Sequence, residues 1–288
     1  MKSLVVLIIV SIFFTSCKTT GLKIGSVDVG KLVNQGVALW DANNIDEKQE
    51  IQFGQNMSAV LLGARPLIED PKINQYINLV GMWLASNSAR PDLPWRFGVI
   101  DSSAINAFAA PGGFVFITSG FLMQLENEAQ LAAVLAHEII HVVEQHHLNA
   151  IKSGAMRNVL TQTLFISADA YQNNNNTSRK KREYSAWAKK VTGMAQNLYT
   201  KGLERTDEYV ADQSGIRLLA KSGYDPFSYV QNLQILEAIS PDDSSLALMY
   251  KTHPTPTQRL HMLEEQLVPL EHVKGVLLAK RYHAFVFK

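Results

Sequence analysis

The chain has 288 residues, of which 47% are hydrophobic and 18% charged, with 17 Gly and 10 Pro. That balance excludes a disordered or fibrous protein and leaves one large globular domain, or two at most, with ample core. A formal net charge of +1 gives no field that would gather nucleic acid, so no nucleic-acid partner is expected. The single cysteine, Cys17, excludes both an intramolecular disulfide and a cysteine-based zinc cluster.

The first segment reads as an address. Lys2 precedes an apolar run from Leu4 to Phe14, followed by the small residues Thr15 and Ser16 before Cys17. The run falls short of the roughly 20 apolar residues that span a bilayer, and its flanks are those of a secretory signal. It resembles a bacterial lipoprotein signal, in which cleavage before Cys17 precedes lipidation of that residue. An ordinary secretory signal with an incidental Cys17 is the competing reading. Residues 1–16 are therefore expected to be the signal peptide, 17–29 the lipidated cysteine and a tether, and 30–288 a single domain. Removing 1–16 takes away one lysine and no acid, so attachment to a membrane would rest on acyl chains at about 0.8 kcal/mol per buried methylene. Lys18 stands where lipoproteins under the enterobacterial sorting rule carry an inner-membrane retention Asp, which implies the outer membrane. No later segment is apolar for long enough to span.

Residues 30–44, 45–64 and 72–86 carry apolar side chains at helical spacing. The pattern then changes: 95–100 alternates, 107–110 is short and apolar, and 113–118 is rich in β-formers, with Pro111-Gly112-Gly113 supplying a turn. A small sheet inserted among helices is expected. Helix signals return from Asn127 through His147, and again over 151–168, 184–202, 206–222 and 226–239. Residues 172–182 form a polar, basic low-complexity stretch that reads as a solvated loop. His253-Pro254-Thr255-Pro256 reads as a rigid loop, with Thr257 capping a helix through Gln266. Residues 276–278 and 284–287 read as terminal strands or packing segments.

The chemistry concentrates in His137-Glu138-Ile139-Ile140-His141. Residues i and i+4 share a helix face, so both imidazoles can reach one cation, while Glu138 stands beside it as a base. Two His and a Glu on an otherwise apolar helix are costly to bury without a partner. Catalytic zinc takes a third protein ligand. Glu208 is the expected third, with Glu204 as the competitor at the same helical phase. Asp212, one turn beyond Glu208, is placed to accept a hydrogen bond from the far nitrogen of a ligand His. His146 and His147 fall off the metal face by spacing and are expected to decorate the helix end.

The set H-E-x-x-H, then R-x-x-E-x-x-A-D at Arg205 to Asp212, then a late H-P loop, resembles metallopeptidase family forty-eight. That family includes the CAAX prenyl proteases, mitochondrial Oma-type proteases and periplasmic lipoprotein proteases of bacteria. The family segment N-A-F-A-x-P-G-G is present as Asn106 to Gly113, and the resemblance runs from about Glu47 to Leu263. It implies an α+β fold, a mainly helical zincin-like metalloprotease domain with a small mixed β-sheet beside the zinc helix. It implies one Zn2+ per chain on His137, His141 and Glu208, Glu138 as catalytic base, and a catalytic role, sometimes described as proton donation, for Asp212. The chain lacks the spanning helices of the prenyl proteases and room for a C-terminal tetratricopeptide domain, so what remains is expected to resemble the small periplasmic members.

Three residues in or beside the Pro-rich loop, His253, Tyr250 and Arg259, are open candidates for the oxyanion donor. His253 could instead occupy the open metal position and hold the enzyme latent. Ala110, Pro111, Gly112, Gly113 and Phe114 would suit an exposed edge strand to which a polypeptide adds in extended form; a buried strand with a tight turn fits equally. The expected activity is that of a lipid-tethered zinc endopeptidase in the bacterial cell envelope, acting on misassembled envelope proteins. A zinc-bearing chaperone or binding lipoprotein, or an inert structural one, are the alternatives; Glu138 favours the enzyme, because a structural zinc site has no use for a base.

Overall fold

The computed structural model describes residues 23–24, 27–28, 45–153, 202–239 and 243–287. The signal segment with Cys17, the helix expected over 30–44, and most of the segments expected over 151–168, 172–182 and 184–202 lie outside them. Within the expected tether, β1 (Lys23–Ile24) and β2 (Val27–Asp28) pair antiparallel.

Helix α1 (Glu47–Ala64) begins where Asp46 and Gln49 close a reciprocal capping box, each side chain accepting from the other's main-chain N–H. Helix α2 (Pro71–Ser86) has Pro71 in its first turn and Asp70 accepting from the amides of Lys72 and Ile73. It buries Tyr76, Ile77, Val80 and Leu84 on one face. Three strands follow, β3 (Arg96–Ile100), β4 (Ala107–Ala110) and β5 (Phe114–Thr118), in the order β3-β5-β4, with β3 parallel and β4 antiparallel to β5. The expected small mixed sheet is present, and the domain is α+β.

The outer edge of β3 is closed. Asn74 and Asn78 of α2 accept from the amides of Val99 and Phe97, and Ile68 donates to the Val99 carbonyl. The opposite edge is β4. Thr118 N–H donates to the Asn106 carbonyl, and the register pairs Ala107 with Ile117 and Ala109 with Val115. In an antiparallel ladder the bonded pairs alternate, so the main-chain groups of Ala107 and Ala109 point away from β5.

After the short α3 (Ser119–Leu122), Asn127 caps α4 (Glu128–Val143) by accepting from Gln130 N–H. Every residue of α4 but the last is buried, so this helix is the axis of the core. It does not run through His147. Arg90 donates to the Val142 carbonyl, Gln145 adopts the left-handed conformation (φ 55°), and α5 (His146–Ser153) starts in a new direction. Helices α6 (Arg205–Lys221) and α7 (Phe227–Ala238) pack against α4. The short α8 (Met249–Thr252) leads to α9 (Pro256–Leu267). The cap of α9 is Thr255, not Thr257, because Pro256 takes the first helical position. Residues 284–287 belong not to a strand but largely to α10 (Ala279–Val286), whose Tyr282 and Val286, one turn apart, are buried. Val276 makes a single parallel bridge to Tyr224.

One buried carboxylate joins three of these pieces. Glu50 of α1 accepts from Arg90 through both terminal guanidinium nitrogens at 3.0 Å, from Gly112 N–H at 3.0 Å, and from Gln145 Nε2 at 3.1 Å. It holds α1, the β4–β5 turn and the break after α4 together. Gly54 of α1 lies so close to the Pro111 carbonyl that a Cβ there would stand 1.7 Å from the oxygen. Replacing Glu50 with Ala is expected to cost about 3 kcal/mol, since it strands the Arg90 charge and the Gly112 amide. Replacing the exposed Glu47, which pairs with the same arginine, should cost no more than about 1 kcal/mol. Denaturant midpoints of the two variants check the contrast.

Candidate metal centre

Helix α4 carries His137 and His141 one turn apart, and their Nε2 atoms converge to 3.0 Å with the rings edge-on. Helix α6 crosses close behind. Gly215 makes this approach possible, since a Cβ there would lie 3.3 Å from the His137 amide nitrogen and 3.1 Å from the Tyr229 ring. The crossing delivers Glu208, whose Oε2 lies 3.6 Å from His137 Nε2 and Oε1 3.5 Å from His141 Nε2. From the loop after α8, His253 Nε2 reaches within 3.6 Å of Glu208 Oε2. One donor atom from each of His137, His141, Glu208 and His253 lies within 4.8 Å of all the others. Glu208 Oε2 is buried without a hydrogen-bond partner.

Behind His137 lies a second layer. Its Nδ1 is 3.1 Å from Asp212 Oδ1 and 2.9 Å from the Tyr229 hydroxyl. Asp212 accepts in turn from Tyr229 at 2.9 Å and from Arg259 through Nε at 2.9 Å and a terminal nitrogen at 2.6 Å. Burial opposes charge on Asp212, but the Arg259 guanidinium holds it well below the usual carboxylate range. Against burial and that same guanidinium, the Asp212 and Glu208 carboxylates raise His137 to about 9. The pocket around His137 therefore favours positive charge at that point. Behind His141, the Nδ1 atom meets His146 Nδ1 at 2.9 Å, and His146 Nε2 stands 4.0 Å from Asp207.

Glu138 is buried beside these donors, and burial pushes its carboxyl up to about 7. It lines two cavities that meet at Ala107, Glu138 and His253. The first extends along Asn106, Phe108 and Ala109 of the open sheet edge toward His147 and Leu203. The second runs under Phe121, Val134, Leu233, Leu236 and Met249.

Several expected residues lie elsewhere. Tyr250 lines neither cavity; its hydroxyl donates to the Leu236 carbonyl. Arg259 is committed to Asp212 behind His137, away from the Glu208 side of that ring. Asp212 borders neither cavity and faces only the inner layer, a geometry without a path for donating a proton to substrate. Among Ala110, Pro111, Gly112, Gly113 and Phe114, only Ala110 belongs to the edge strand. Phe114 opens the central strand, and the turn between them is buried against α1 through Glu50 and Gly54. The edge strand is Ala107–Ala110, and among the described residues no strand pairs with its outer side. His146 is buried against His141 instead of decorating the helix end. Tyr229 was invisible in the sequence because its partners stand 17 and 92 residues away.

The family model described as Peptidase family M48 matches residues 71–267. The chain is 32% identical over 212 residues to the beta-barrel assembly-enhancing protease of Escherichia coli K12, an alignment covering 74% of this chain and 42% of that protein. A putative beta-barrel assembly-enhancing protease of Vibrio cholerae matches at 32% over 214 residues, covering 74% and 43%. The mitochondrial metalloendopeptidase OMA1 of Schizosaccharomyces pombe matches at 27% over 197 residues, covering 67% and 52%. The chain thus spans less than half the length of these bacterial relatives.

The inner layer predicts a strong coupling. Asp212→Asn or Arg259→Met alone should each destabilise the fold by about 3–5 kcal/mol, because each leaves an unpaired buried charge. Combining Asp212→Asn with Arg259→Met should cost clearly less than the sum, and a double-mutant cycle in denaturant measures the difference.

Proposed function

The chain belongs to peptidase family M48, and on that premise we propose that it is a zinc-dependent endopeptidase of the bacterial cell envelope, tethered to the membrane through Cys17. The observation that carries the reading is the convergence of two imidazoles and one carboxylate next to a buried Glu138, at a cavity bordered by an open strand edge.

Zinc would be held by His137, His141 and Glu208, a two-imidazole, one-carboxylate set of the kind used at catalytic zinc. The Glu208 Oε2 atom, buried without a hydrogen-bond partner among the described residues, fits a divalent ion. When bound, zinc supplies Lewis acidity that polarises the scissile carbonyl and makes a water acidic enough to lose a proton near neutral pH. Glu138 accepts that proton and returns it to the leaving amine. The main-chain groups of Ala107 and Ala109 hold the substrate as an added strand. Asp212 and Tyr229 orient His137, and His146 does the same for His141, so these are positioning residues.

His253 is the fourth donor within reach, and in this arrangement it closes the set that substrate has to open. We assign it the part of a latch. The same closure lends support to one rival, a zinc-bearing chaperone, since structural zinc sites close all four positions. Envelope proteins as substrates, and an outer-membrane location, draw support from the names of the bacterial relatives and from the Cys17-Lys18 signal pattern. Among the described residues no helix is long and apolar enough to cross a membrane.

Replacing Glu138 with Gln is expected to keep zinc and fold while lowering casein cleavage at least about a hundredfold. Wild-type protein that binds zinc, protects clients and cleaves nothing would instead establish the chaperone. His253→Ala should raise casein cleavage several-fold if the imidazole is a latch; equal or lower activity removes that role, and only a marked loss leaves it as an oxyanion donor.

A further inference from the structure

The second cavity has an apolar wall alongside His137, Glu138, Tyr229, His253 and Arg259, and one residue lining it, Asn232, keeps a side-chain atom without a hydrogen-bond partner among the described residues. Asn232 of α7 lines it and is only 5% exposed. Its Nδ2 donates to the Gln130 carbonyl at 2.7 Å, and a carbonyl can only accept, so the orientation of the amide is fixed. The remaining atom, Oδ1, is buried with no hydrogen-bond partner. A buried amide oxygen left unpaired is costly, and a cavity that carries one discriminates in favour of whatever supplies the missing donor.

The surroundings define that donor. Phe121, Val134, Leu233, Leu236 and Met249 accept an apolar stem. Arg259 also lines this cavity, so its positive charge lies close to a side chain bound there and disfavours a cationic tip. Glu138 and Ala107 stand at the junction with the first cavity. A substrate strand laid along Ala107–Ala110 would alternate its side chains between faces, so one residue next to the scissile bond would face this cavity.

We propose that Asn232 sets substrate preference: the residue adjoining the cleaved bond that enters this cavity is one with an apolar stem and a neutral hydrogen-bond donor, such as Thr, Tyr or Gln, bound through Asn232 Oδ1. This rests on the peptidase reading.

Isosteric pairs decide it. Peptides identical except for Thr against Val, or Tyr against Phe, at each position flanking the cleaved bond should differ at one position by at least about tenfold in kcat/KM, with the donor-bearing member favoured. Asn232→Leu should bring that ratio to one or below while leaving the ratio on the other side of the bond unchanged. Equal rates for both members of every pair in the wild-type protein would overturn the inference and leave the peptidase reading intact. If no peptide is cleaved, the peptidase reading fails, and the same pairs are then compared by affinity for the zinc-loaded Glu138→Gln variant. A donor preference that Asn232→Leu, added to that variant, abolishes still supports the assignment of Asn232, and equal affinities reject it.

Discussion

The structure depends on how a helix buried along nearly its whole length carries four ionisable side chains, Glu128 in its first turn and three at the candidate metal centre. His137, Glu138 and His141 lie on α4, where water cannot solvate them, and a charge in that position needs partners with fixed geometry. The partners come from other elements: Glu208 and Asp212 from α6, Tyr229 from α7, Arg259 from α9 and His146 from α5. Asp212 is the pivot. It is the carboxylate that lets Arg259 be buried, and it orients the face of His137 turned away from Glu208. Without that inner layer the outer donors would have no reason to point at one another.

The same logic governs the sheet. A three-stranded sheet has two edges, and each needs management. On β3 the carboxamides of Asn74 and Asn78 take the place of a neighbouring strand. On β4 no strand or carboxamide among the described residues closes the edge in that way, and it borders the cavity lined by Glu138. The turn joining β4 to β5 cannot share in substrate binding, because Glu50 takes the Gly112 amide and α1 packs against the Pro111 carbonyl. The glycines here serve close packing: a Cβ on Gly112, at φ 76°, would stand 2.5 Å from Ile51 Cα.

What the sequence made legible follows from interaction range. His137 and His141 are four residues apart, so helical geometry alone puts them on one face; the same holds for Glu208 and Asp212. The start of a helix at Asn127 and the three strands are likewise local matters of spacing and main-chain preference. The break after α4 was not legible, because Gln145 has no intrinsic need for a left-handed conformation; Glu50 and Arg90, far off in sequence, stabilise it there. That break is what turns His146 back onto His141. Tyr229 and Asn232 looked like ordinary residues of an apolar helix, and only the packing of α7 against α4 and α6 gives them partners. The turn at 111–113 misled for the complementary reason: its glycines advertise a bend but not which surface covers it.

His253 differs from the other donors in how it is held. His137, His141 and Glu208 are fixed on helices packed face to face, and moving any of them would disturb the core. His253 is on the segment between α8 and α9, followed by Pro254 and Pro256, with Thr252 as the hydrogen-bond partner of its Nδ1. Burial pushes this imidazole down to about 4, so it is neutral and able to donate its lone pair. Its burial costs little beyond the loss of solvent, because it carries no charge to compensate. Displacing it requires only a loop to shift, and it vacates space at the junction of both cavities, beside Ala107 and Glu138. A strand added to β4 would press on that junction first. Under the proposed latch role of His253, substrate binding and exposure of the fourth position would be coupled by contact, with the rigid donors left where the core puts them.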